Sequence, residues 1–151
     1  MSSAVIYRIN KKGYLLHANK KAVSGFSLAS DPFIRISETE ASLNIIGHAI
    51  KKVLSVDDAT RVPNPKNWSE FSKEFLKKAA LKSSKELNKE TTFCCVIRKE
   101  NESIIFTPTE HEKIPGEGFS HKRKEDTIIV SYTAPPEEIA QALELALSKC
   151  E

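Results

Sequence analysis

Two short apolar runs open the chain, Val5-Ile6-Tyr7 and Tyr14-Leu15-Leu16, on either side of Asn10-Lys11-Lys12-Gly13. Runs of this length around an Asn/Gly turn predict a β-hairpin. Residues 19–30 show no clear period and are expected to be irregular. Asp31-Pro32 punctuates, and Phe33-Ile34-Arg35-Ile36 then alternates as a strand does. Leu43, Ile46, Ile50, Val53 and Leu54 fall at helical spacing, and Ser37 with Glu40 forms a capping-box pattern upstream. Together they predict a helix over about 38–54. Gly47 inside it costs roughly 1 kcal/mol relative to alanine, a cost that close packing against a neighbour would explain. Val62-Pro63-Asn64-Pro65 cannot be helical. Asn67 can cap the next helix, whose stripe of Trp68, Phe71, Phe75 and Leu76 reads as core, with lysines opposite.

The second half repeats the pattern. Residues 91–97 (TTFCCVI) and 103–107 (SIIFT) are strand-like around Lys99-Glu100-Asn101-Glu102, a plausible hairpin turn. Residues 108–126 are polar, with two prolines and two glycines, and read as a long loop. Long loops in small domains are often functional. Residues 127–133 (TIIVSYT) give the last strand. Pro136 suits a helix first turn, and Glu137, Glu138 and Lys149 sit where they complement the helix dipole. Ile139, Leu143, Ala146, Leu147 and Cys150 share one face of that helix. The succession ββ, β, α, α, ββ, β, α predicts an α+β fold: a mostly antiparallel sheet packed with three or so helices, in a single domain over 1–151.

Composition changes little in that picture. A chain of 151 residues with 40% hydrophobic and 28% charged residues suits one globular domain. No apolar run nears the roughly 20 residues of a membrane span. The N-terminus lacks the basic and apolar regions of a secretory signal. Three cysteines, two of them adjacent, make a poor disulfide framework and point to reduced thiols in a cytoplasmic setting. The net charge of +3 is uneven: residues 66–89 hold seven lysines and three glutamates, which leaves the rest slightly acidic. These lysines read as a solvated helix face. The alternative is a nucleic-acid-binding module built on them, but no glycine-rich loop or aromatic interleaving accompanies them.

No catalytic or metal motif appears. His17, His48, His111 and His121 lack metal-ligand spacing. There is no phosphate loop, dinucleotide fingerprint or nucleophile elbow. An enzyme centred on the long loop would have to bring His111 and His121 together with Glu110 and Glu112. Cys94 and Cys95 point to opposite faces of a strand, so they cannot share a site. No cofactor or metal is expected.

An extended start, then "DPFIRISETEASLNIIGHAIKKVLS", a lysine-rich middle and the closing "APPEEIAQALELALSKC" resemble the CdiI family, the immunity proteins of bacterial contact-dependent growth inhibition. Ile46-Gly47 and the segment from Ala140 to Cys150 carry the resemblance; Ile139-Ala140 stands where the family pattern has leucine and glycine. The resemblance implies a cytoplasmic, non-enzymatic protein. It would bind one to one the C-terminal toxin domain of a CdiA-type exoprotein, often a nuclease, and occlude its active site. No membrane or direct nucleic-acid partner is then expected. The basic groove of a nuclease calls for an acidic contact. The long loop offers Glu110, Glu112, Glu117, Glu125 and Asp126, with Phe119 as an apolar anchor, and these six are the expected toxin-binding residues.

Overall fold

In the computed structural model, which describes residues 2–56, 60–111, 119–121 and 126–151, the first two runs form the expected hairpin. β1 (Ser2–Ile9) pairs antiparallel with β2 (Gly13–Lys21). At Gly13 the backbone has φ +92°, and a Cβ would collide with the Ile36 carbonyl, so only glycine fits. Residues 19–30 are more regular than expected. β2 runs on to Lys21, and β3 (Ser27–Ile36) pairs with it. The period was hidden by a register shift between His17 and Ala18, opposite Asp31-Pro32, whose peptide bond is cis. A proline is tolerated there because β3 is an edge strand with an irregularity.

α1 (Leu43–Leu54) starts later than the capping box suggested. Ser42 is its cap, accepting from the Ile45 amide, while the Ser37 hydroxyl bonds that of Thr39. The helix begins where its apolar stripe begins, because burial rather than the cap holds it. Asn67 caps α2 (Trp68–Lys78) as expected. The lysine-rich stretch is nevertheless two helices. Ala80, at φ 56°, interrupts it, and Ser83 caps the separate α3 (Ser84–Glu90).

β4 (Thr91–Glu100) and β5 (Ser103–His111) form the second hairpin. The stretch expected to loop from residue 108 is strand as far as His111, and β6 (Phe119–His121) pairs back onto it. β7 (Ile128–Ser131) pairs with the other half of β5, and α4 (Pro136–Ser148) follows. Sheet order is β3-β2-β1-β4-β5-β6, with β7 beside β6 on the β5 edge. The described residues thus give an antiparallel sheet with four helices, an α+β fold.

One sheet face carries Ala4, Ile6, Leu16, Cys95, Ile97, Ile104 and Phe106, all buried beneath α1 and α4. Gly47 lies where α1 meets the first turn of α4; a Cβ there would overlap the Pro136 backbone. The predicted face of α4, from Ile139 to Cys150, is buried. On the opposite face, Ile9 and Leu15 pack with Ala79, Leu81 and Leu87, flanked by Phe75 and Leu76. α2 itself has no fully buried residue, and Trp68 is 49% exposed. Its stripe is therefore core only at the Phe75 and Leu76 end.

Candidate partner-binding face

The β5–β6 pairing sets two of the six expected contact residues, Glu110 and Phe119. Glu110 stands opposite Ser120 and His111 opposite Phe119 in the ladder. Asp126, half-buried, lies just ahead of β7. Since β6 and β7 both pair with β5, Glu110, Phe119 and Asp126 belong to the same sheet edge. Glu112, Glu117 and Glu125 lie outside the described residues. The chain's last residue joins this edge through its backbone: the His111 amide donates to the Glu151 carbonyl (2.7 Å), and the Glu151 amide to that of Thr109 (3.1 Å).

His111 is held in place. Its Nε2 lies 3.1 Å from the Thr92 carbonyl, which can only accept, so Nε2 carries the proton. Its ring packs on Phe119 at 4.7 Å between centroids. Of the four groups an acid–base site would need here, Glu112 falls outside the described residues. The cysteines are not poised for nucleophilic chemistry. Burial pushes Cys94 up to about 12 and Cys95 well above its usual range, and a buried thiol at neutral pH is inert. Among the described residues no group of His, Cys, Asp or Glu could hold a metal ion. No helix there is long and apolar enough to cross a membrane.

From Phe119 a row of aromatic rings crosses the sheet face that α1 and α4 leave uncovered. Phe119 meets Tyr7 edge-on (6.4 Å), and Tyr7 meets His17 (5.7 Å). His17 touches Phe33 (5.4 Å) and Phe75 (5.6 Å). His17 is 3% exposed, and its Nδ1–H donates to the Ala18 carbonyl at 3.0 Å. Burial lowers its pKa, so it stays neutral as a packed ring. Beyond it, Ala29, Phe33, Phe71, Glu74, Phe75 and Lys78 line a cavity of about 50 Å³ between β3 and α2. Across that cavity Phe71, Trp68 and Phe26 form a second group of rings, with Trp68 6.0 Å from Phe71 and 6.3 Å from Phe26. The sequence held a signal for this row, since Leu15 and His17 alternate on one side of β2. It became legible only with the register that sets Tyr7 and Phe33 beside them.

The family model for CDI immunity proteins matches residues 8–150, which include Ile46-Gly47 and the closing helix. The chain belongs to the CDI immunity protein family. Within that family, the Yersinia pseudotuberculosis (serotype O:3, strain YPIII) immunity protein CdiI-YPIII is 30% identical over 84 residues. The alignment covers 56% of this chain and 47% of that protein, about half of each. Among solved structures, the CdiA-CT/CdiI toxin and immunity complex from Yersinia pseudotuberculosis contains a chain with the same fold. Its TM-score is 0.75 at 20% identity, covering 99% of this chain and 97% of that one. A Neisseria meningitidis protein of unknown function, NMB0488, matches with TM-score 0.72 and 17% identity over 100% of this chain and 96% of its own. This CDI immunity protein therefore shares its whole fold with both.

Proposed function

We propose that this chain is a cytoplasmic, non-enzymatic inhibitor that binds one to one the C-terminal toxin domain of a CdiA-type exoprotein. It covers the active site of that toxin, a nuclease in this reading. The observation that carries the proposal is the family match across residues 8–150. The Yersinia neighbour, a chain of a toxin and immunity complex, supports the class of partner. The contact residues proposed are Glu110, Glu112, Glu117, Phe119, Glu125 and Asp126. A nuclease cleft presents cations to phosphate, and carboxylates on this edge take the place of phosphate there. Phe119, backed by His111 and Tyr7, is a firmly seated anchor for such a contact.

Co-expression with the C-terminal domain of a cognate CdiA-type exoprotein tests this function. Cells should survive, and the two chains should co-purify in equal amounts. Cell death without co-purification overturns the proposal. The six contact residues are tested by single alanine replacement: the central carboxylates and Phe119 should each weaken binding by about tenfold or more.

A further inference from the structure

We propose that Thr109, His111 and the backbone of Glu151 form a latch that holds the end of β5 in its binding geometry, and that they are positioning residues for toxin recognition. This rests on the reading that Glu110 and Phe119 touch the toxin domain. The β4–β5 ladder runs from Glu100↔Ser103 only as far as Cys95↔Pro108. Pro108 has no amide to donate, and beyond it the two strands part. β4 continues back to Thr91 beside β1, whereas β5 continues to His111 beside β6. Glu110 and Phe119 stand on the parted segment.

Pairing continued in register would set Thr109 opposite Cys94 and His111 opposite Thr92. Side chains make those links instead. The Thr109 hydroxyl donates to the Cys94 carbonyl at 2.6 Å, and the His111 Nε2–H to the Thr92 carbonyl at 3.1 Å. The backbone of the same two residues is engaged by Glu151: the His111 amide donates to its carbonyl, and its amide to the Thr109 carbonyl. The Cys150 thiol lies 3.2 Å from the Cys94 carbonyl, so residues 150 and 151 touch both parted strands.

Each of these bonds has a consequence for the contact residues. Thr109 is 2% exposed, so water does not replace its hydroxyl. Without that hydroxyl the Cys94 carbonyl keeps only a thiol, which is a weak donor. The bond to Thr92 fixes the His111 ring, and that ring packs on Phe119 at 4.7 Å between centroids. Glu110 lies between the two latched residues and is held from both sides. A segment left free to swing would have to be ordered when the toxin binds, and that ordering lowers affinity. The latch orders it beforehand.

The test compares the parent with Thr109→Val, Thr109→Ser and Glu151→Pro. Valine keeps the shape of threonine but cannot donate, serine keeps the hydroxyl, and proline removes the amide that donates to Thr109. Binding of the C-terminal domain of a cognate CdiA-type exoprotein is measured for each chain. Amide exchange of residues 109–111 and of α1 is followed by NMR. Thr109→Val and Glu151→Pro should each weaken binding by about tenfold. Exchange at 109–111 should quicken by about tenfold or more while α1 is unchanged. Thr109→Ser should bind within about threefold of the parent. If serine is as weak as valine, the hydroxyl is not the latch and the inference is overturned. It is overturned as well if binding weakens only together with faster exchange in α1, which would mark general destabilisation. If exchange at 109–111 quickens but binding stays within about threefold of the parent, the latch does not position the contact, and the inference fails while the proposed function stands. If the parent itself does not bind, the proposed function fails and takes this inference with it. Should Thr109→Val fail to fold, Glu151→Pro decides, since Glu151 is exposed.

Discussion

At the scale of single residues, Gly47 shows how far sequence reasoning reaches. Its place inside a helix signalled a close neighbour, and the signal was sound: the Pro136 backbone occupies the space a side chain would need. The identity of that neighbour was beyond the sequence, because it lies 89 positions away at the start of α4. Gly47→Ala gains roughly 1 kcal/mol of helix propensity. It must also part α1 from α4, and overpacking of this kind costs about 1–3 kcal/mol. The obstacle is backbone, which cannot swing aside, so the upper part of that range applies. Denaturant unfolding should place Gly47→Ala about 1–2 kcal/mol below the parent, net of the propensity gain. An equal or higher stability would show that the two helices separate freely.

At the scale of elements, the strands and helices that pack on the main core were legible, because burial writes a period into them. α1 and α4 carry continuous apolar stripes; α4 buries the face that was read, and α1 buries its stripe except for Leu43, which is 37% exposed. Elements that lean on less burial were misjudged. The far ends of β2 and β3 were hidden by the irregularity at Asp31-Pro32. α3, with Leu87 as its one buried residue, gave no stripe of its own. α2 read as a core helix because Trp68 and Phe71 have core-like chemistry, yet it sits at the rim. Its attachments include Phe75 against Phe33 and His17, the Lys78–Asp31 pair, and the Arg35 guanidinium donating to the Ala79 carbonyl at 2.7 Å. A helix with so little buried surface should open locally at lower free energy than the core. Amide hydrogen exchange followed by mass spectrometry should show α2 exchanging at least about tenfold faster than α4. Protection of α2 equal to that of α4 in the isolated chain would refute this picture of a loosely held rim.

At the scale of the whole molecule, the class of fold was readable, while the face was not. The candidate contact segment was read from its charge and length as a polar loop, but the rings behind it, Tyr7, His17, Phe33 and Phe75, come from three strands and one helix, and only the register aligns them. That alignment has a consequence for stability. His17 sits at the centre of the row, and burial lowers its pKa from the usual 6.5. A depressed histidine favours folding where it is neutral. Its contribution is complete above pH 6.5 and is lost as pH falls from there toward the folded-state value. Glu86 and Glu137 are also depressed, through hydrogen bonds from Lys12 and Asn44 respectively, so their contribution is lost only on further acidification below 4.5. At the alkaline end, buried Cys94 is pushed up to about 12 and Tyr14 likewise to about 12, so stability declines as pH rises above 9 and then 10. The parent should therefore be most stable between about pH 7 and 8.5. Below that, the His17 step should remove up to about 1.4 kcal/mol per pH unit. Phe is close in size and cannot titrate, so His17→Phe should keep the ring contacts with Tyr7, Phe33 and Phe75 while extending the plateau down into the carboxylate range. Denaturant unfolding of both chains from pH 5 to 9 reads this directly. Parallel profiles for parent and variant between pH 5 and 7 would mean that His17 is protonated within the folded face without cost, and that the row of rings is more open to water than its packing indicates.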